Sequence, residues 1–130
     1  MRIAAVIVTC NRIELLKRAL KSVKEQSRQP NFVYVISNST ADNFLKEQKL
    51  CADFGFQILK NYRTENYAGA LNTAVEQIIT ESGISNDLYF ASLDDDDEWL
   101  PNYLQEIENN NSDNFDLLAG NLLRSSNTEN

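Results

Sequence analysis

Residues 3–10 read Ile-Ala-Ala-Val-Ile-Val-Thr-Cys, an unbroken apolar run rich in β-branched side chains. A strand with one wet face alternates apolar and polar residues, and this run does not. Both of its faces must therefore be covered, which is the condition of a strand inside a parallel sheet. Three further runs have the same look: Phe32-Val33-Tyr34-Val35-Ile36, the shorter Phe56-Gln57-Ile58-Leu59, and residues 87–93. Parallel neighbours cannot be joined by a hairpin, so the segments between them must be crossovers, usually helical.

Those segments carry helical spacing. From Arg12 to about Ser27, Leu15, Leu16, Ala19, Leu20 and Val23 repeat on one face, with Asn11 placed to cap them and Pro30 closing the unit. Ser37-Asn38-Ser39-Thr40 is loop and cap chemistry, and Phe44, Leu45, Gln48, Cys51 and Ala52 mark a second helix up to Gly55. After the polar connection Asn61–Asn66, a third helix carries Leu71, Val75, Ile78 and Ile79 and ends near Gly83. Pro101 suits the first turn of a fourth helix with Leu100, Tyr103, Leu104 and Ile107 on its apolar face. Asn109-Asn110-Asn111-Ser112 is a break, Phe115–Ala119 begins a fifth strand that extends toward Leu123, and Ser125–Asn130 is a polar end. The order β-α-β-α-β-α-β-α-β predicts one α/β domain over residues 1–130. Its architecture is a three-layer α/β/α sandwich around a mostly parallel, Rossmann-like sheet.

In such a sheet ligands bind beyond the carboxyl ends of the strands. Three of those ends are polar: Thr9-Cys10-Asn11-Arg12, Ser37-Asn38-Ser39 and Asp94-Asp95-Asp96-Asp97. The third opens a run of five acidic residues, Asp94 to Glu98, set between the apolar segment Leu88–Ala91 and Trp99-Leu100-Pro101. Five like charges in sequence are costly in a compact fold unless water or a cation offsets them. A solvated loop would explain the charges but not the apolar neighbours. A site for a divalent ion, or for an ion with a phosphate, explains both. In an extended backbone Asp94 and Asp96 point one way and Asp95 and Asp97 the other, so one pair is free to hold an ion while the other contacts a ribose or caps the next helix.

Composition narrows the ion. The chain has no histidine, so metal ligands must be oxygens, which favours magnesium, manganese or calcium. Cys10 and Cys51 both sit in apolar patterns and read as buried thiols, which points to a reducing, cytoplasmic setting. No apolar run nears the roughly 18 residues of a membrane span. Residues 1–63 hold eleven Lys/Arg and five Asp/Glu, and residues 64–130 hold one and fourteen, so a basic half could bracket a phosphate against an acidic one. Lys17, Arg18, Lys21 and Lys24 are more simply the wet face of the first helix. No nucleic-acid motif is present and the net charge is -7, so nucleic acid is not an expected partner.

Rival chemistries fail on spacing. No glycine-rich turn follows the first strand, which removes dinucleotide and phosphate-loop fingerprints. A helix–loop–helix calcium loop counted from Asp94 would need Gly where Trp99 stands and Glu where Gln105 stands. A phospho-receiver needs acidic residues after the first strand, where this chain has Asn11 and Arg12.

Four ordered blocks resemble family 2 glycosyltransferases. They are Val6–Arg12 followed by Leu20-Lys21-Ser22-Val23 and Gln26, then Val33–Ile36 with Asn38-Ser39-Thr40, then Asn66-Tyr67-Ala68-Gly69-Ala70-Leu71-Asn72, then Leu93–Pro101. The resemblance covers about Ile3 to Leu104. It implies a GT-A fold, a nucleotide-sugar donor (UDP-, GDP- or dTDP-linked), a saccharide or glycan acceptor, and a divalent ion, Mn²⁺ or Mg²⁺. It further implies inverting transfer of the sugar to an acceptor hydroxyl, assisted by an Asp or Glu base. Asp94 and Asp96 match the Asp-x-Asp pair, with Asp96 first and Asp94 second as metal ligands. Asp94 and Asp95 also stand as ribose or phosphate contacts. Thr9, Asn11, Asn38 and Arg63 complete the substrate-binding set. Thr9 could equally close a strand edge, Asn11 and Asn38 could be caps, and Arg63 could be a plain surface residue. Asn72 is either a buried hydrogen-bonding link or a donor contact. Trp99 is a packing anchor more readily than a sugar platform.

Two departures accompany the resemblance. The family often has Asp where Ser37 stands, which unsettles the expected base contact. Family members are commonly much longer, and their second half supplies the acceptor site and the base. The chain is therefore expected to be the donor-binding half of a longer enzyme, inactive alone, with peripheral membrane association left open to the full-length protein. The alternative is a non-catalytic α/β module that binds a nucleotide or a metal.

Overall fold

The computed structural model describes residues 1–83 and 86–110. Eight elements follow one another: β1 (Arg2–Thr9), α1 (Ile13–Lys24), β2 (Phe32–Ser37), α2 (Ala41–Phe54), β3 (Gln57–Lys60), α3 (Tyr67–Ser82), β4 (Leu88–Asp94) and α4 (Tyr103–Asn109). The expected fifth strand from Phe115 lies outside the described residues.

The four strands form one parallel sheet in the order β3-β2-β1-β4. From β1 the chain winds outward through β2 to β3, then returns to the other side of β1 as β4. Parallel crossovers keep one hand, so reversing the winding direction moves the connecting helix to the opposite face. Packing shows this. Ile3, Ala5 and Ile7 of β1 share a core with Leu16, Ala19, Leu20 and Val23 of α1, Cys51 of α2 and Leu104 of α4. Ala4 and Val6, one step out of phase, pack with Tyr34, Ile36 and the α3 residues Ala70, Ala74 and Ile78. This is the expected three-layer α/β/α sandwich.

Register brings the polar strand ends to one edge. Val8 stands opposite Asp94, Thr9 opposite Ser37, and Ser37 opposite Lys60. The winding reverses between β1 and β4, so that edge contains a switch point, the position where open α/β sheets leave a crevice.

Several local expectations are corrected. Asn11 does not cap α1, which has Arg12 at its N-cap and no side-chain cap there. Asn11 instead takes a left-handed backbone (φ 56°), which Asn tolerates better than most side chains, and ties the β1 loop to the start of α2. Its Oδ1 accepts from Thr40 N at 2.9 Å and Asn43 Nδ2 at 2.8 Å, and its N–H donates to Ser39 Oγ at 2.7 Å. The buried line of α2 runs through Glu47 and Cys51, while Leu45 is 65% exposed. Glu47 is accommodated because Ser37 Oγ and Ser39 Oγ donate to its two oxygens, at 2.6 and 2.5 Å. The buried face of α3 is built of the small residues Gly69, Ala70, Thr73 and Ala74 with Ile78, which lets the helix lie close to β1 and β2. Leu100 is exposed, and α4 begins beyond Pro101, at Tyr103. Trp99 is a packing anchor: it stacks on Tyr103 at 5.2 Å between ring centres and donates its backbone N–H to Ser22 Oγ. Cys51 is buried, whereas Cys10 is exposed at the sheet edge. Asn72 is exposed on α3.

Candidate functional site

A cleft of about 390 Å³ opens at the switch point, within the size range of small-molecule sites. Its walls come from the ends of β1 (Val8, Thr9), β2 (Asn38) and β4 (Asp94), from Arg12, and from the turn before α3 (Asn66, Tyr67).

The acidic end is shaped by a turn. β4 stops at Asp94, and the Asp97 N–H donates to the Asp94 carbonyl at 3.0 Å. The extended alternation expected from sequence therefore ends at Asp94, and Asp97 swings round to join Asp94 and Asp96. Carboxylate oxygens of these three residues lie within 4.8 Å of one another, all on exposed side chains. Burial, followed by the charges of Asp96, Asp94 and Asp95, raises the Asp97 carboxyl above the usual carboxylate range. Three clustered oxygen donors that repel one another are the donor set a hard divalent cation takes.

Asp95 faces the other way. It is 1% exposed and forms the floor of the cleft. Thr9 Oγ1 donates to its Oδ2 at 2.9 Å, Arg12 Nε donates to the same oxygen at 3.2 Å, and Arg12 Nη2 pairs with Oδ1 at 2.5 Å. Asp95 thus lines the cleft with its carboxylate turned to Thr9 and Arg12. Thr9 is likewise buried and spends its hydroxyl on Asp95. Glu98 turns away toward α1, where it faces Arg18 at 3.8 Å.

The opposite end of the cleft is built of amides. Asn38 Nδ2 donates to Asn66 O at 3.3 Å, and Asn38 Oδ1 accepts from Asn61 Nδ2 at 2.8 Å. Asn61 is itself fixed by Thr73 Oγ1 of α3 at 2.7 Å. Asn66 caps α3, with its Oδ1 accepting from Gly69 N at 2.7 Å. Tyr67 opens α3 at the rim, and its hydroxyl pKa is raised chiefly by burial, with Ser92 opposing and Asp94 adding to the shift.

The structure thus brings together Thr9, Asn38, Asp94, Asp95 and Asp96 around one cleft. It does not bring Asn11 or Arg63 into the lining. Asn11 serves the loop–helix junction, and Arg63 pairs with Glu76 on the exposed face of α3. Sequence reasoning missed Asp97 as a third member of the acidic cluster, and Cys10, Arg12, Asn66 and Tyr67 as lining. Arg12 was within reach, since it closes the polar stretch after the first strand.

The sequence matches the model of glycosyl transferase family 2 over residues 4–130. The chain belongs to that family. Solved structures with the same fold include TarS from S. aureus, at a TM-score of 0.63 and 16% identity, covering 87% of this chain and 20% of that one. The 1–349 portion of TarS in complex with UDP gives a TM-score of 0.63 at 16% identity, covering 87% of this chain and 32% of that one. This family member therefore spans about a fifth of TarS and about a third of its 1–349 portion. No curated protein sequence matches it. Among the described residues, no helix is long and apolar enough to cross a membrane.

Proposed function

We propose that the chain is the donor-binding portion of a glycosyltransferase that moves a sugar from a nucleoside-diphosphate sugar to an acceptor hydroxyl, with inversion and with a divalent ion. The observation that carries this reading is the convergence of Asp94, Asp96 and Asp97 at the carboxyl end of β4, beside the end of β1 at the switch point. Family membership supports the donor class, and the TarS complex makes UDP the first nucleotide to try. Asp94, Asp96 and Asp97 would hold Mn²⁺ or Mg²⁺. Their all-oxygen donor set fits such an ion, which when bound neutralises the diphosphate and stabilises the leaving nucleoside diphosphate.

The chain's own groups then have separate tasks. The amide end, Asn38 with Asn66, offers donors and acceptors to a nucleobase or ribose. Asn61, itself held by Thr73, keeps the Asn38 amide from rotating, and the Gly69 N–H does the same for Asn66, which spares their ordering cost on binding. The Thr9–Asp95 bond fixes the end of β1 to that of β4, so the cleft floor is rigid before a ligand arrives. In this reading the acceptor site and the base that takes the acceptor proton lie in sequence beyond this chain. The share of TarS that the chain covers supports that division.

Titration calorimetry with UDP, GDP and dTDP, with and without manganese, tests the reading. One of the three is expected to bind with an affinity that rises when manganese is present. Absence of manganese-dependent binding for all three would overturn it.

A further inference from the structure

Arg12 is the one cation lining the cleft among the described residues, and its acidic neighbours there include Asp94, Asp95 and Asp96. It is held at two points. Its Nε and Nη2 both engage Asp95, at 3.2 Å to Oδ2 and 2.5 Å to Oδ1, a two-point contact along one edge of the guanidinium. Asp95 is 1% exposed, and its Oδ1 has no partner in hydrogen-bonding geometry. A buried carboxylate so placed is strongly unfavourable once its cation leaves, so Arg12 is tied to this position. The grip leaves Nη1 on the side of the acidic cluster, 3.8 Å from Asp96 Oδ2. The Arg12 side chain is 49% exposed, so part of it stays open to solvent and to a ligand.

We propose that Arg12 is the cleft's anion-contacting group, meeting the diphosphate of the nucleotide donor, and that Asp95 is the positioning residue that holds it there. The proposal rests on the donor-site reading above and deepens it. A diphosphate entering this cleft meets several carboxylates, and a fixed guanidinium supplies positive charge that does not depend on a metal. Arg12 therefore accounts for whatever nucleoside-diphosphate affinity persists in chelator, and the metal site adds to it. Asp95 acts only through Arg12. Its charge would repel a phosphate, and its two oxygens are already turned to Thr9 and Arg12.

The test measures affinities of the preferred nucleoside diphosphate and of the matching nucleoside for wild type, R12A, R12K, D95N and R12A/D95N. Each is measured with manganese and with EDTA, and thermal melts run alongside. R12A is expected to weaken diphosphate binding about tenfold or more in both conditions, the size of a lost charge-assisted hydrogen bond, and to leave nucleoside affinity unchanged. R12K is expected to restore part of the loss. The double variant is expected to bind no more weakly than R12A, because Asp95 works through Arg12. Wild-type diphosphate affinity in R12A, or equal losses for diphosphate and nucleoside, overturns the anion-contact role. Additive losses in R12A and D95N overturn the positioning role. R12A leaves the buried Asp95 carboxylate without its cation, so should either single variant fail to fold, R12A/D95N, which removes both charges, decides the first point: wild-type diphosphate affinity in it overturns the anion-contact role. A wild-type chain that binds no nucleoside diphosphate with manganese sinks the donor-site reading itself, and this proposal with it.

Discussion

Gly69 is the sharpest test of how the amide end of the cleft is built. It sits in the first turn of α3, where helix propensity alone says that Ala should be better by no more than about 1 kcal/mol. A Cβ at this position would stand 2.1 Å from the Thr64 carbonyl oxygen, 3.0 Å from its carbon and 3.1 Å from Asn66 Oδ1. Carbon and oxygen pack at well over 3 Å, so the turn at residues 61–66 must move by about 1 Å. That turn carries the Asn66 cap on Gly69 N and the Asn61 Nδ2 bond to Thr64 O. Loss of a cap costs about 1 kcal/mol, a hydrogen bond about 1 kcal/mol, and overpacking strain about 1–3 kcal/mol. Set against the propensity gain, G69A should destabilise the chain by about 2–4 kcal/mol, on the order of 10 °C in Tm for a domain of this size. Differential scanning calorimetry of wild type and G69A reads the shift directly. A Tm equal to or above that of wild type would refute the close approach of α3 to the Thr64 carbonyl.

Other expectations follow from the same geometry. In EDTA at neutral pH, D97N should raise the Tm. The folded state lifts the Asp97 carboxyl, so its ionised form weakens the fold increasingly as pH rises through the folded value, and the gain from D97N should vanish below about pH 4, where both states are protonated; a pH-independent effect would contradict this. E47Q should destabilise by about 2–3 kcal/mol, since a carboxylate accepting from Ser37 and Ser39 is replaced by an amide with one acceptor oxygen, and urea unfolding measures it. Native alkylation followed by mass spectrometry should label Cys10 and spare Cys51, whose thiol burial pushes up to about 12, and a bound nucleotide with manganese should protect Cys10 at the cleft wall.

The elements that bury both faces were the most legible. Ile3–Thr9 and Phe32–Ile36 carry no charge, and nothing but a covered parallel strand accommodates them, so the sheet and its helices follow from periodicity. Helix faces that break the apolar rule were not legible. Glu47 is buried because two serines ten and eight residues earlier come to it in space, a pairing that local spacing does not reveal. The acidic cluster was legible as a cluster but not in its division of labour. Asp95 keeps the side opposite Asp94 and Asp96, but Asp97 leaves it to join them, because a single turn bond, Asp97 N–H to Asp94 O, ends the extended alternation. Asn11 and Arg63 are polar residues near a binding edge, and sequence could not tell a loop tie or a surface pair from a ligand contact. Arg12 stands in the polar stretch after the first strand, but its tie to Asp95, 83 residues later, is a pairing that local spacing does not reveal.

The central claim is that Asp94, Asp96 and Asp97 hold the divalent ion that a nucleotide donor shares. Electron paramagnetic resonance of Mn²⁺ titrated with the chain, with and without the bound nucleoside diphosphate, measures this directly. The account predicts loss of the free-ion signal on adding protein and nucleotide together, and its return in D96N. A free-ion signal depleted equally by wild type and D96N would contradict it.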